Sequence, residues 1–118
     1  MSEGRSILIV EDEPLIAMML EDFLESLGHT VQGTCESVAE ALAETEKGGF
    51  DLAILDVNLK GENAWPVASR LKERGIPFVI ASGGHVDPPP PEFASVPMLE
   101  KPYTIERVTP VLNEALAG

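Results

Sequence analysis

The stretch DLAILDVNLKG, residues 51–61, carries four apolar residues, Leu52 to Leu55, straight into Asp56, Val57 and Asn58. A continuous apolar run of that length fits a strand covered on both faces. A carboxylate at the tip of such a strand is costly to bury unless it is paired, metal-bound or protonated. Asp56 is therefore either the first residue of a solvated turn or part of a site.

Two more runs of this kind, ILIV at 7–10 and FVIAS at 78–82, read as strands. HTVQGT at 29–34 and PMLE at 97–100 are weaker candidates. Helical patterns alternate with them. From Pro14 to Leu27, the residues Leu15, Ile16, Met19, Leu20, Phe23, Leu24 and Leu27 recur at spacings of three and four, with Gly28 as a stop. Ser37 to Lys47 turns Val38, Ala41 and Leu42 inward. Asn63 to Arg74 offers Asn63 as N-cap, Pro66 in the first turn and Gly75 at the end. Thr104 to Leu116 contains Pro110, which should kink the helix or restart it with Thr109 as cap.

Five alternations with short connections predict an open parallel sheet wrapped by helices through right-handed crossovers. The segment HVDPPPPEFASV, 85–96, breaks the rhythm where the fourth helix is due. Four consecutive prolines cannot occupy a helix interior, so a shortened helix or a proline-rich loop is expected there.

The chain of 118 residues reads as one domain, 1–118, with no linker, repeat or output domain. A composition 44% hydrophobic and 24% charged fits a soluble globular protein. A net charge of -12 argues against nucleic acid as a direct partner, because phosphate backbones are held by a surplus of Lys and Arg. The acidity otherwise reads as a solvated surface or as one that meets cations or a partner. A single cysteine, Cys35, fits a reducing cytoplasm and a small buried side chain. His29 and His85 read as surface residues, and no run is long enough to span a membrane.

Ligand sites of open α/β sheets form outside the carboxyl ends of the strands. There the first strand ends on Glu11, Asp12 and Glu13, the third on Asp56, the fourth on Ser82 and the fifth on Glu100-Lys101. Clustered carboxylates repel unless a cation or proton intervenes, and a hard ion such as Mg2+ takes a few protein oxygens and keeps its waters. Asp12, Asp56 and the Asn58 main-chain carbonyl would supply three ligands, with Glu11 behind them. A lysine and a hydroxyl on the same rim suit phosphoryl oxygens, and a carboxylate can be the covalent acceptor. Taken alone, each of these residues is more often a solvated acid, a cap or a surface lysine. Their joint placement carries the argument.

The set ILIVEDE, LAILDVNL, IASG and EKPY, in that order, resembles the receiver domain of bacterial two-component response regulators. The resemblance runs from about Ser6 to Leu116. It implies a flavodoxin-like (βα)5 fold with strand order 2-1-3-4-5, and Asp56 as phosphoacceptor for a histidine kinase or histidine phosphotransfer protein. It also implies Glu11 and Asp12 as the acidic pair of a Mg2+ site, Ser82 as the switch hydroxyl and Lys101 as the phosphate-pairing lysine. WPVASRLKERGIPFVIASGG, 65–84, further resembles single-domain receivers with a PFxFATG-type motif, several of them tied to general stress signalling. Here Ile80 and Ser82 replace the second Phe and the Thr.

Two departures shape the expected output. The aromatic residue that most receivers place three before the lysine is Met98 here, so Met98 or Tyr103 is expected to report phosphorylation instead. The prolines 88–91 replace a helix of the usual output surface, which bears on homodimerisation and on an unknown downstream partner. Asn58 and Gly84 leave an acyl phosphate open to water, which implies a lifetime of minutes. Trp65 reads as an ordinary packing residue that would serve as an optical probe.

The leading reading is thus a stand-alone cytoplasmic receiver, a phosphoacceptor rather than a turnover enzyme. It would act through protein contact or as a shuttle or sink in a relay. The alternative is a phosphorylation-independent binding module with a relic site. An FMN carrier on the same fold would need a phosphate-cradling first turn, where this chain has Glu11-Asp12-Glu13. An aspartate phosphatase would want D-x-D after its first strand.

Overall fold

The computed structural model describes residues 5–59, 61–82, 91–93, 96–100 and 104–117. Along the chain run β1 (Ser6–Val10), α1 (Pro14–Ser26), β2 (Thr30–Cys35), α2 (Val38–Lys47), β3 (Leu52–Asp56), β4 (Asn58–Leu59) and β5 (Glu62–Asn63). Then follow α3 (Trp65–Glu73), β6 (Phe78–Ser82), a 3-10 turn at Pro91–Phe93, β7 (Met98–Glu100) and α4 (Ile105–Ala117). Five strands form one sheet in the order β2-β1-β3-β6-β7, all parallel. This is the flavodoxin-like order that the receiver resemblance implies, and the 3-10 turn sits where a fourth helix would be. Prolines explain the substitution, since they neither donate to nor fit inside a helix.

The central strands are apolar on both faces because both faces are covered. Leu8, Val10, Ala53, Leu55, Phe78 and Ile80 join Val67 and Leu71 of α3 on one side. Ile7, Ile9, Leu52, Ile54 and Val79 meet Leu20 and Leu24 of α1 and Val108 and Leu112 of α4 on the other. Removing a Leu or Ile side chain from water contributes about 2 kcal/mol, so these two layers hold the sheet in register. At the β2 edge that register slips. Ile7 pairs with Val31 but Leu8 with Gly33, leaving Gln32 as a bulge. Cys35 is buried, as expected, and burial followed by the charges of Glu44 and Glu40 pushes its thiol up to about 11.

Four local expectations need correction. Asn63 does not cap α3: it pairs with Asn58 in a two-strand hairpin, and Ala64 takes the cap position. Gly61, at φ +84°, makes the left-handed backbone that this tight reversal requires. Thr109 does not restart the last helix, which runs unbroken past Pro110. The Thr109 hydroxyl donates to the Ile105 carbonyl at 2.7 Å, while Thr104 caps the helix by accepting from Arg107 N–H at 3.2 Å. On α1, Leu15 and Met19 fit the helical spacing yet point outward with Met18; Ala17, Leu20 and Leu24 are the buried residues. His29 is half-buried rather than on the open surface, its Nδ1 accepting from Arg5 N–H at 3.0 Å.

Candidate functional site

Parallel pairing sets the heights of the strand ends. Val10 is level with Leu55, Asp56 with Ala81, Ala81 with Leu99, and Ser82 with Glu100. Chain leaving β1 thus emerges beside Asp56, and Ser82 and Glu100 finish on the same rim. The Glu11 N–H donates to the Cys35 carbonyl at 2.9 Å, which extends the β1–β2 pairing by one residue and brings Glu11 to the level of the β3 tip.

Carboxylate oxygens of Glu11, Asp12 and Asp56 lie within 4.8 Å of one another. Glu11 and Asp56 are buried, at 1% and 5% exposure, and Asp12 is half-exposed at the mouth. The Glu13 N–H donates to Glu11 Oε2 at 3.1 Å and so orients one wall of the cluster, a contact that sequence spacing did not announce. Three carboxylates this close repel in low dielectric. An oxygen-only donor set that is part buried and part open suits a hard divalent cation that keeps waters, so the residues fit Mg2+.

The backbone beyond Asp56 is tied on both sides. Val57 N–H donates to the Ala81 carbonyl at 3.2 Å, and Ala64 N–H returns to the Val57 carbonyl at 2.9 Å. Between them the β4–β5 hairpin buries Leu59 completely. Asn58, whose main-chain carbonyl is the expected third ligand, opens that hairpin. Ser82 ends β6, and Met98 begins β7 with 38% of its surface exposed. Lys101, Tyr103, Gly84, His85 and the prolines 88–90 lie outside the described residues.

The response regulator receiver domain family matches residues 7–109. The chain belongs to that family. A receiver is a phosphoacceptor signalling module rather than a turnover enzyme, and the Glu11–Asp12–Asp56 cluster is typical of a receiver Mg2+ site. Among solved structures, SdrG from Sphingomonas melonis Fr1 superposes with a TM-score of 0.87 at 55% identity, across the whole of both chains. The BeF3-activated conformation of SdrG from Pseudomonas melonis Fr1 superposes at 0.83, also at 55% identity, over 98% of this receiver and 99% of that chain. The phyllosphere-induced regulator PhyR of Methylorubrum extorquens is 32% identical over 118 residues, which cover 93% of this chain and 43% of PhyR. This receiver thus spans less than half the length of that curated relative. Among the described residues no helix is long and apolar enough to cross a membrane.

Proposed function

We propose that this receiver accepts a phosphoryl group on Asp56 from a histidine kinase or a histidine phosphotransfer protein. The observation that carries the reading is the Asp56 carboxylate itself, 5% exposed at a strand tip and within 4.8 Å of two further carboxylates. Asp12, Asp56 and the Asn58 main-chain carbonyl would hold Mg2+, with Glu11 behind them. When bound, the ion supplies positive charge against the phosphoryl oxygens. Asp56 acts as nucleophile, forming a P–O bond as the donor's P–N bond breaks. The family resemblance assigns Lys101 and Ser82 to the remaining phosphoryl oxygens; Met98, which stands where most receivers carry an aromatic ring, or Tyr103 reports the change. The BeF3-activated SdrG structure supports phosphorylation as the activating event by likeness. Output is through contact with another protein, as a switch or as a shuttle or sink, in the cytoplasm and with a homodimer as one route.

Intact mass after incubation with Mg2+ and acetyl phosphate tests this directly. The wild type should gain one phosphoryl group and lose it within minutes once the donor is removed, while Asp56→Asn gains nothing. Equal masses for the two proteins would refute the reading and favour the relic module.

A further inference from the structure

Trp65 is the first residue of α3, and only the short hairpin of residues 58–63, which begins just after Asp56, separates the two in the chain. Its ring stacks on Phe93 with centroids 5.7 Å apart and planes 14° from parallel. Phe93 is 1% exposed and belongs to the 3-10 turn that stands in for the fourth helix. The ring also meets Phe78, the first residue of β6, edge-on at 5.9 Å. Lys72, two helical turns along α3 from Trp65, completes the clamp. Its Nζ lies 5.8 Å from the Phe93 centroid and donates to the Glu92 carbonyl at 3.0 Å. The turn is thus docked on α3 and β6 by one ring. Both elements lead to the site: α3 through the hairpin to Asp56, β6 along its length to Ser82.

Resting on the phosphoacceptor reading above, we infer that the Trp65–Phe93 stack is the conformational switch of this receiver, closed in the unmodified protein and loosened when Asp56 is phosphorylated. The physical cause is local. A phosphoryl group adds bulk and roughly 1.5 to 2 negative charges to a carboxylate that has little free surface and acidic neighbours. The neighbouring backbone must give, and β3 and β6 are locked in the sheet. The hairpin is two residues deep on each side, the weakest pairing around Asp56, and it closes through the Ala64–Val57 hydrogen bond immediately before Trp65. A small rotation of the α3 N-terminus is enough to spoil a near-parallel stack, because ring contacts depend on offset and angle. The position that most receivers fill with an aromatic switch holds Met98 here, and the aromatic pair supplies the two-state element elsewhere.

Trp65 is the only tryptophan, so its emission reads the stack without a label. Mg2+ and acetyl phosphate should shift wild-type emission to the red in step with the mass gain. Phe93→Leu should gain the same mass, start red-shifted and move no further. Lys72→Gln, a change at an exposed residue that spares the core, should start part-way along the shift. A mass gain with unmoved emission overturns the switch, as does the wild-type shift reappearing in Phe93→Leu. Absence of any mass gain removes the phosphoacceptor reading first, and the switch with it.

Discussion

Arg70 on α3 grips Glu46 on α2 with two nitrogens of its guanidinium, Nε to Oε2 and Nη2 to Oε1. This fork is the strongest polar tie between the two helices that cover one face of the sheet, and Arg74 adds a bond to the Glu46 carbonyl at 3.1 Å. The bond from Arg70 holds the Glu46 carboxyl below its ordinary 4.5. Its contribution is therefore present above the usual carboxylate range and lost as pH falls through the lowered folded value. Both groups face water, so the effect is small. Arg70→Ala should lower Tm by no more than about 3 °C at low salt, and thermal melts in 1 M salt should shrink the difference.

His29 titrates in the opposite region. Burial, then the Arg5 charge, holds its imidazole below the ordinary 6.5. As pH falls through that value the unfolded chain takes the proton first, so native stability declines; above it the full difference is present. Urea melts between pH 7.5 and about 5 should show this slope in the wild type. His29→Gln, which keeps an acceptor for Arg5 N–H, should flatten it. Equal slopes for the two proteins would place the pH dependence among the carboxylates.

Asp12 stands at the mouth of the acidic cluster, where an arriving cation would meet it first. Asp12→Asn keeps the shape and removes one charge. Titration calorimetry with Mg2+ should show affinity falling by at least about tenfold, since a site with few protein oxygens has no spare charged ligand. Unchanged affinity would move the ion off this cluster.

Leu59 plugs the hairpin with a side chain that has no exposed surface. Leu59→Ala should destabilise the protein by about 2–4 kcal/mol in urea unfolding. The phosphorylation rate should fall too if Asp56 is the acceptor proposed above, because the hairpin follows directly on that residue. A large loss of stability with an unchanged rate would separate the hairpin from the site.

Pro110 sits inside α4, where it removes the N–H that the Glu106 carbonyl would otherwise accept from. Pro110→Ala should restore that bond and raise stability by about 1–3 kcal/mol. A lower Tm in the variant would show that the fixed proline backbone is worth more than the missing bond.

Strands of this receiver are legible because the central ones are apolar without interruption, which only a doubly covered sheet explains. Acids at their ends were legible as a site for the same reason: β-strands place their tips on one rim. What escaped was short or distant. The β4–β5 hairpin has two residues per strand, too few for any period, so Asn63 read as a helix cap. Leu15 and Met19 satisfy helical spacing while lying outside the contact stripe that Ala17, Leu20 and Leu24 define. Trp65 read as plain packing because its partner, Phe93, is 28 residues away in a stretch with no pattern. The Arg70–Glu46 fork joins two helices that are separate in sequence, and no spacing rule connects them.

Gln32, the extra residue on β2, interrupts the outermost row of backbone amides and carbonyls. An exposed strand is a template on which a second chain can crystallise into a growing fibre. Such growth needs an unbroken ladder with matching spacing on both sides. With the bulge midway along a six-residue strand, an incoming strand would match the first half and fall out of step in the second. A charge of -12 on each copy opposes the same approach. The irregularity on β2, which ends the sheet among the described residues, therefore opposes amyloid-like stacking along that edge.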